Sequence, residues 1–198
     1  MPRTKEQYEE MRRATREKIQ AAAMHVFARK GFGAANVQDI AETAGISIGL
    51  MYRHYKTKEV LFRELVEFAA AGMGRAAERF ESGDSPRLVI SNFAGEVWRD
   101  MTSGDELANL LILMSRYAAE PAGETELIVG QNERMMNAAA GLIQRGQQLG
   151  EFRAGDPDAM TLLFFAALQG LAEMKLNMGS RFVMPSAELL TAFLFKEG

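Results

Sequence analysis

Apolar positions along this 198-residue chain recur three and four residues apart almost throughout, and no stretch alternates apolar and polar residues convincingly. That spacing predicts helices and no strands. The first helix is marked by Ile19, Ala22, Ala23, Val26 and Phe27 and closes at Lys30-Gly31-Phe32. A second carries Val37, Ile40, Ala41 and Ala44 on one face, with Asn36 placed to cap it and Asp39 in the capping-box position. Gly45 suits a left-handed exit that residues with a Cβ adopt only at a cost. Ser47 is placed to cap a third helix ending near His54 or Tyr55, and Thr57 a fourth from Lys58 to about Phe80. Further on, Ser85-Pro86 opens a helix to about Met101, and another covers roughly Asp105 to Ala118 before Pro121. A longer one runs from about Glu124 to Leu149. Asp156-Pro157 opens one to about Met178, and Pro185 begins a last to about Phe195. The expected fold is all-α, about nine helices, with a three-helix head over residues 1–56 and a helical bundle over residues 57–198.

Two short helices joined by a glycine turn, over residues 37–55, make a helix-turn-helix, the unit that lays its second helix in the major groove of DNA. Periodicity turns Met51 and Tyr55 inward, with Ile46 from the turn. Ser47, Ile48, Gly49, Leu50, Tyr52, Arg53 and His54 are left for the groove and its walls. Arg53 is the one side chain there able to grip guanine through two hydrogen bonds. Ile48 and Leu50 either meet thymine methyls or belong to the core. Gln38, Lys56 and Lys58 complete the set expected at DNA, and Arg3, Lys5, Arg12, Arg13 and Arg16 either extend it along the backbone or form a solvated face with the intervening glutamates.

Net charge is −3 for the whole chain, yet residues 1–63 hold 12 Lys/Arg against 7 Asp/Glu and the rest hold 11 against 19. A basic head on an acidic body is the charge asymmetry of a nucleic-acid binder. The absence of cysteine excludes disulfides and thiolate metal sites. No nucleophile–base or metal-ligand spacing is apparent, so neither an enzyme, a cofactor nor a metal is expected. G-M-G-R-A-A at residues 72–77 imitates a dinucleotide fingerprint but lacks its βαβ setting. The longest apolar run, Ala159 to Leu168, falls short of the ~20 residues that span a bilayer. With a charged N-terminus unlike a secretory signal, a cytoplasmic chain with no membrane partner is expected.

The run I-Q-A-A-A-M-H-V-F-A-R-K-G-F followed by V-Q-D-I-A-E-T-A-G-I-S-I-G-L-M-Y-R-H-Y-K-T-K-E-V-L-F resembles the TetR-type bacterial transcription regulators, over roughly residues 15 to 65. The resemblance implies that Tyr52, His54 and Lys58 contact phosphates and that positions 48, 49, 50 and 53 meet base edges. It also implies a homodimer on a palindromic double-stranded operator and a small-molecule effector that releases a repressor. The alternative is a helical protein–protein adaptor that does not bind DNA.

In the body, Phe93, Val97, Met101, Leu110, Met114, Tyr117, Met135 and Met136 form an adaptable Met-rich and aromatic set, either plain core or, as the resemblance implies, the lining of a mostly apolar effector pocket. Asn109, Arg116, Asn132 and Gln169 are its candidate polar groups. The segment from Asp158 to Met178 leaves almost no polar face over its first half, so its outer side needs cover. Leu162, Phe165, Ala166 and Gln169, with Leu189 and Phe193 near the end, are expected at an isologous dimer seam. Gly72 and Gly74, both interior to the fourth helix, mark either a soft point used in switching or a close approach to a neighbour.

Overall fold

The computed structural model describes residues 4–118 and 126–196, so the expectations placed on Arg3, Pro121 and Glu124 lie outside the described residues. Among those described there are nine α-helices: α1 (Lys5–Lys30), α2 (Val37–Thr43), α3 (Ile48–His54), α4 (Lys58–Phe80), α5 (Pro86–Ser103), α6 (Glu106–Ala118), α7 (Glu126–Gln148), α8 (Pro157–Met178) and α9 (Ala187–Thr191). The boundary chemistry is the expected one. Asn36 Oδ1 accepts from the Asp39 amide at 2.8 Å, the Asp39 carboxylate accepts from the Asn36 amide at 3.3 Å, and Gly45 takes φ +65°. Ser47 caps α3 through the Leu50 amide, and Thr57 accepts from the Val60 amide at 3.3 Å. Ser85 and Asp156 cap α5 and α8, each followed by proline in the first turn.

Two ends depart from the pattern. Helix α1 begins at Lys5 behind a Thr4–Gln7 capping box, more than three turns before its first buried residue, Ile19. The last helix, expected over Pro185–Phe195, shrinks to α9. Phe195 instead pairs with Phe152 in an antiparallel bridge, their rings 5.5 Å apart, and the Arg153 amide donates to the Leu194 carbonyl. Extended backbone at residue 195 seats that ring, and a helix cannot supply it.

The chain divides into two compact units, Met1–Val66 and Glu67–Gly198. The first ends ten residues beyond the expected boundary, because Leu61, Phe62 and Leu65 at the start of α4 are buried in the head. Phe27, Phe32 and Phe62 form its aromatic centre, with centroids 4.5 to 5.6 Å apart. Ile19, Ile40, Met51 and Tyr55 close around them, almost wholly removed from water.

The second unit is a bundle in which α8 packs on α6 and α7 and α5 packs on α6, α7 and α9. Phe80, Phe93, Phe164 and Phe165 meet in edge-on and tilted pairs within it. Helix α8 buries Thr161, Phe164, Leu168 and Ala172 along one face but leaves Leu162 and Leu163 63% and 55% exposed. Over the 25 residues from Pro157 to Arg181 the best window reaches a mean hydropathy of 1.3, so by length and composition this helix is long enough to cross a membrane. This corrects the estimate drawn from Ala159–Leu168 alone, a run that Thr161 already interrupts, since the longer window tolerates such polar residues.

The glycines separate by their surroundings. A Cβ on Gly72 meets nothing closer than 3.8 Å, whereas one on Gly74 would lie 3.2 Å from Gln131 Oε1 of α7, a close approach. A Cβ on Gly146 would stand 2.6 Å from the Phe152 ring. Gly72→Ala should therefore raise stability by about 0.5–1 kcal/mol, and Gly146→Ala should lower it by about 1–3 kcal/mol, as read by chemical denaturation.

Candidate nucleic-acid interface

Helix α3 is two turns long and is held from one side. Met51 and Tyr55 are buried and Ile46 half-buried. Around the other side, Ser47, Ile48, Gly49, Tyr52 and Arg53 are exposed, as is Lys56 just beyond the helix; Leu50 and His54 are half-buried. Ile48 is 43% exposed, which separates it from the core. Gly49 has no neighbouring heavy atom within 4 Å of where a Cβ would lie, so the helix backbone itself can approach a surface there. Gln38 sits exposed on α2, its amide donating to Glu42 at 3.2 Å. Asn36, Val37, Gln38, Ile48, Tyr52 and Lys56 line one open groove between α2, α3 and the start of α4.

What fixes α3 is a polar cluster around Glu64 of α4. Its carboxylate takes both an Nε and an Nη2 bond from Arg16 of α1, a further bond from Gln20, and the Tyr55 hydroxyl at 3.0 Å. The Arg16 guanidinium also lies 4.9 Å from the Tyr55 ring centroid. Burial, then the hydrogen bond to Glu64, holds the Tyr55 phenol well above its ordinary pKa, and the same carboxylate raises that of Arg16. Three elements thus meet at one fork-shaped ion pair. Arg16, expected either along the DNA backbone or on a solvated face, is turned inward by this bond.

Lys58 is likewise engaged. Its ammonium donates to the carbonyls of Phe32, Gly33 and Ala35 at 2.9, 3.3 and 2.9 Å and lies 4.6 Å from the Phe32 ring centroid. All three of its protons are used in bracing the α1–α2 loop. His54 has a buried Nδ1 with no partner among the described residues, and desolvation, then Arg12 and Arg16, lowers its pKa from the ordinary 6.5.

Neither Glu64 nor the inward role of Lys58 was visible in the sequence. Arg16 and Glu64 stand 48 positions apart, and no local periodicity connects them. Of the body residues singled out, Val97, Met101, Met114 and Met135 are buried, while Phe93, Leu110, Tyr117 and Met136 are half-buried. Asn132 and Arg116 are exposed, and Asn109 is buried. At the expected seam Leu162, Ala166 and Leu189 are exposed, and Phe165 and Phe193 half-buried. Gln169 differs: its amide nitrogen is covered within the single chain, so it points inward.

A three-helix head that buries one side of a short capped helix and presents the other, with arginine, tyrosine and lysine around it, defines a helix-turn-helix protein. Residues 19–65 match the model of the bacterial regulatory proteins of the tetR family, and the head is an amino-terminal domain of that family. The HTH-type transcriptional regulator YerO of Bacillus subtilis (strain 168) is 30% identical over 100 residues, which is 49% of this chain and only 35% of YerO. The chain therefore spans about a third of the length of that relative. Among solved structures, the MbdR regulator from Azoarcus sp. CIB shares the fold with a TM-score of 0.70, at 21% identity over 91% of this chain and 97% of its own. A complex of SmeT with triclosan does so at 0.58, with 21% identity and 93% of each chain covered.

Two outcomes follow from the geometry. Glu64→Ala strands the buried Tyr55 hydroxyl and the Arg16 guanidinium, and should lower stability by about 1–3 kcal/mol in urea titration. A lowered His54 pKa means the unfolded chain takes up that proton first, so its contribution is present above about pH 6.5 and lost as pH falls below it. The melting temperature should drop between about pH 7.5 and 5.5, and drop less in His54→Gln.

Proposed function

We propose that this chain is a ligand-responsive DNA-binding transcriptional regulator, a repressor released from a palindromic operator by a small hydrophobic or amphipathic effector. The observation that carries the reading is the outward side of α3, where Ile48, Gly49, Tyr52 and Arg53 stand clear of a helix anchored by Met51 and Tyr55. Arg53 is the base-reading group, Ile48 the contact for thymine methyls, and Tyr52 and Lys56 hold the phosphates. Lys58, its protons committed to the loop carbonyls, serves by holding the head in shape. Repression follows from simple occlusion by a small protein seated on the operator. The SmeT–triclosan complex supports a small-molecule effector for the body, by likeness of fold.

Two copies are needed for a palindrome, and the open face of α8 with Leu162, Leu163 and Ala166, joined by Leu189 on α9, supplies a self-complementary apolar surface. A palindromic operator then requires the two α3 helices to be presented about 34–36 Å apart. Leu162→Glu with Leu189→Glu should give a folded monomer by light scattering that has lost tight operator binding.

Gel shift with DNA from upstream of the protein's own gene tests the reading as a whole. Binding should weaken steeply as salt rises, because phosphate contacts release counterions. An adaptor leaves the DNA unshifted at every salt concentration, which would sink the proposal. Arg53→Ala should erase about 1–3 kcal/mol of base preference, whereas Lys56→Ala should weaken all sequences alike and reduce the salt slope by about one. Equal losses on every sequence for both variants would show that the roles are misassigned.

A further inference from the structure

Gln38 and Glu42 stand one turn apart on α2, and both are exposed. The Gln38 amide nitrogen donates to the Glu42 carboxylate at 3.2 Å. A carboxylate only accepts, so this bond fixes which way round the amide lies. One N–H is spent on Glu42, and the carbonyl oxygen and the second N–H remain for a partner. Gln38 also lines the open groove between α2, α3 and the start of α4, with Ile48, Tyr52 and Lys56 among its other walls.

The first helix of such a motif crosses the DNA backbone, so a phosphate is the ordinary partner of a residue there. The chemistry of this pair runs against one. A phosphate offers only acceptors and carries negative charge, and here it would meet a carbonyl oxygen beside a carboxylate. Asp39 on the same helix is neutralised by Lys30 at 2.8 Å, but Glu42 has no ion pair among the described residues. Base edges in the major groove do present donors, the exocyclic amines of adenine and cytosine. Adenine also sets an acceptor, N7, beside its amine, and so meets both the free oxygen and the free N–H of Gln38. Ile48 points to the same base pair. It is 43% exposed in the same groove and suits the methyl of thymine, the base opposite adenine.

We propose that Gln38 and Ile48 read the two halves of one A·T base pair, Gln38 the adenine edge and Ile48 the thymine methyl, and that Glu42 is a positioning residue holding the Gln38 amide in place. Glu42 removes rotamer freedom that a long amide would otherwise lose on binding. Its unpaired charge also discourages a phosphate from taking the place of the adenine. This specifies part of the half-site, and it rests on the reading of the chain as a DNA-binding regulator.

The test begins by selecting a tight duplex from a random library with the full chain. Two atom-level replacements are then scanned through that duplex by gel shift. Deoxyuridine for thymidine removes the methyl alone, and 7-deazadeoxyadenosine for deoxyadenosine replaces the N7 acceptor with C–H. One thymine should cost about fourfold in affinity on losing its methyl, and the adenine opposite it about fivefold on losing N7. Ile48→Ala should abolish the first loss and keep the second, and Gln38→Ala should do the reverse. All three side chains are exposed, so these substitutions leave the core intact. Glu42→Ala should bind unrelated duplexes more tightly, having shed a charge that repels phosphates, yet show a smaller loss at N7. Glu42→Gln, still able to accept the Gln38 N–H, should restore that loss, whereas a merely structural role for Glu42 would leave it unchanged throughout. Sensitive bases in different pairs, no adenine sensitive to N7, or a Gln38→Ala variant weakened alike on every duplex overturns the proposal. An enriched duplex without such a pair refutes this assignment alone. A library from which no duplex is enriched refutes the regulator, and the assignment with it.

Discussion

A helix of seven residues cannot keep its shape in water, because nucleating it fixes several residues for very few hydrogen bonds. Everything in the head follows from that constraint. Ser47 satisfies the first free amides of α3, Met51 and Tyr55 press its inner side into an aromatic centre, and Glu64 grips the Tyr55 hydroxyl. The four outward residues are then free of structural duty, so their identities can be spent on a partner surface. A longer helix would hold itself and need no such grip, but the groove admits only a short length of rod before the duplex curves away.

The Glu64 cluster also explains why α1 and α4 belong to the reading head as much as the two helices of the motif do. Arg16 is turned to the inner side of α3, where it neutralises the carboxylate that positions Tyr55. Lys58 does comparable work for the loop after α1, turning three carbonyls that would point into solvent into ligands of one cation. Charge in this head therefore has two uses, internal bracing and external attraction, and a count of lysines and arginines cannot tell them apart.

That is where the sequence stopped being legible. Caps and breakers act over three or four residues, so Asn36, Gly45, Ser47, Ser85 and Asp156 announced their helix ends correctly. The inward places of Met51 and Tyr55 followed from period alone. Contacts between distant segments did not: the Arg16–Glu64 pair, the Lys58 brace, and the Phe152–Phe195 bridge that replaced most of the last helix all depend on how elements pack. The extent of the head was misjudged for the same reason, since Leu61 and Leu65 look like any helix stripe until the core they enter is known. The α8 face was legible as apolar on too many sides, but not which side the bundle would cover.

Among the described residues, no ionised side chain is sealed inside the body, while the head carries its cations in the open or in partly wetted pairs. Ionic strength can therefore weaken surface pairs in both units, Arg79–Glu96 and Arg134–Glu81 of the body included, while leaving the uncharged interior of the bundle nearly untouched. Rising salt would loosen charged contacts at the surface without altering how the oily interior of the bundle packs.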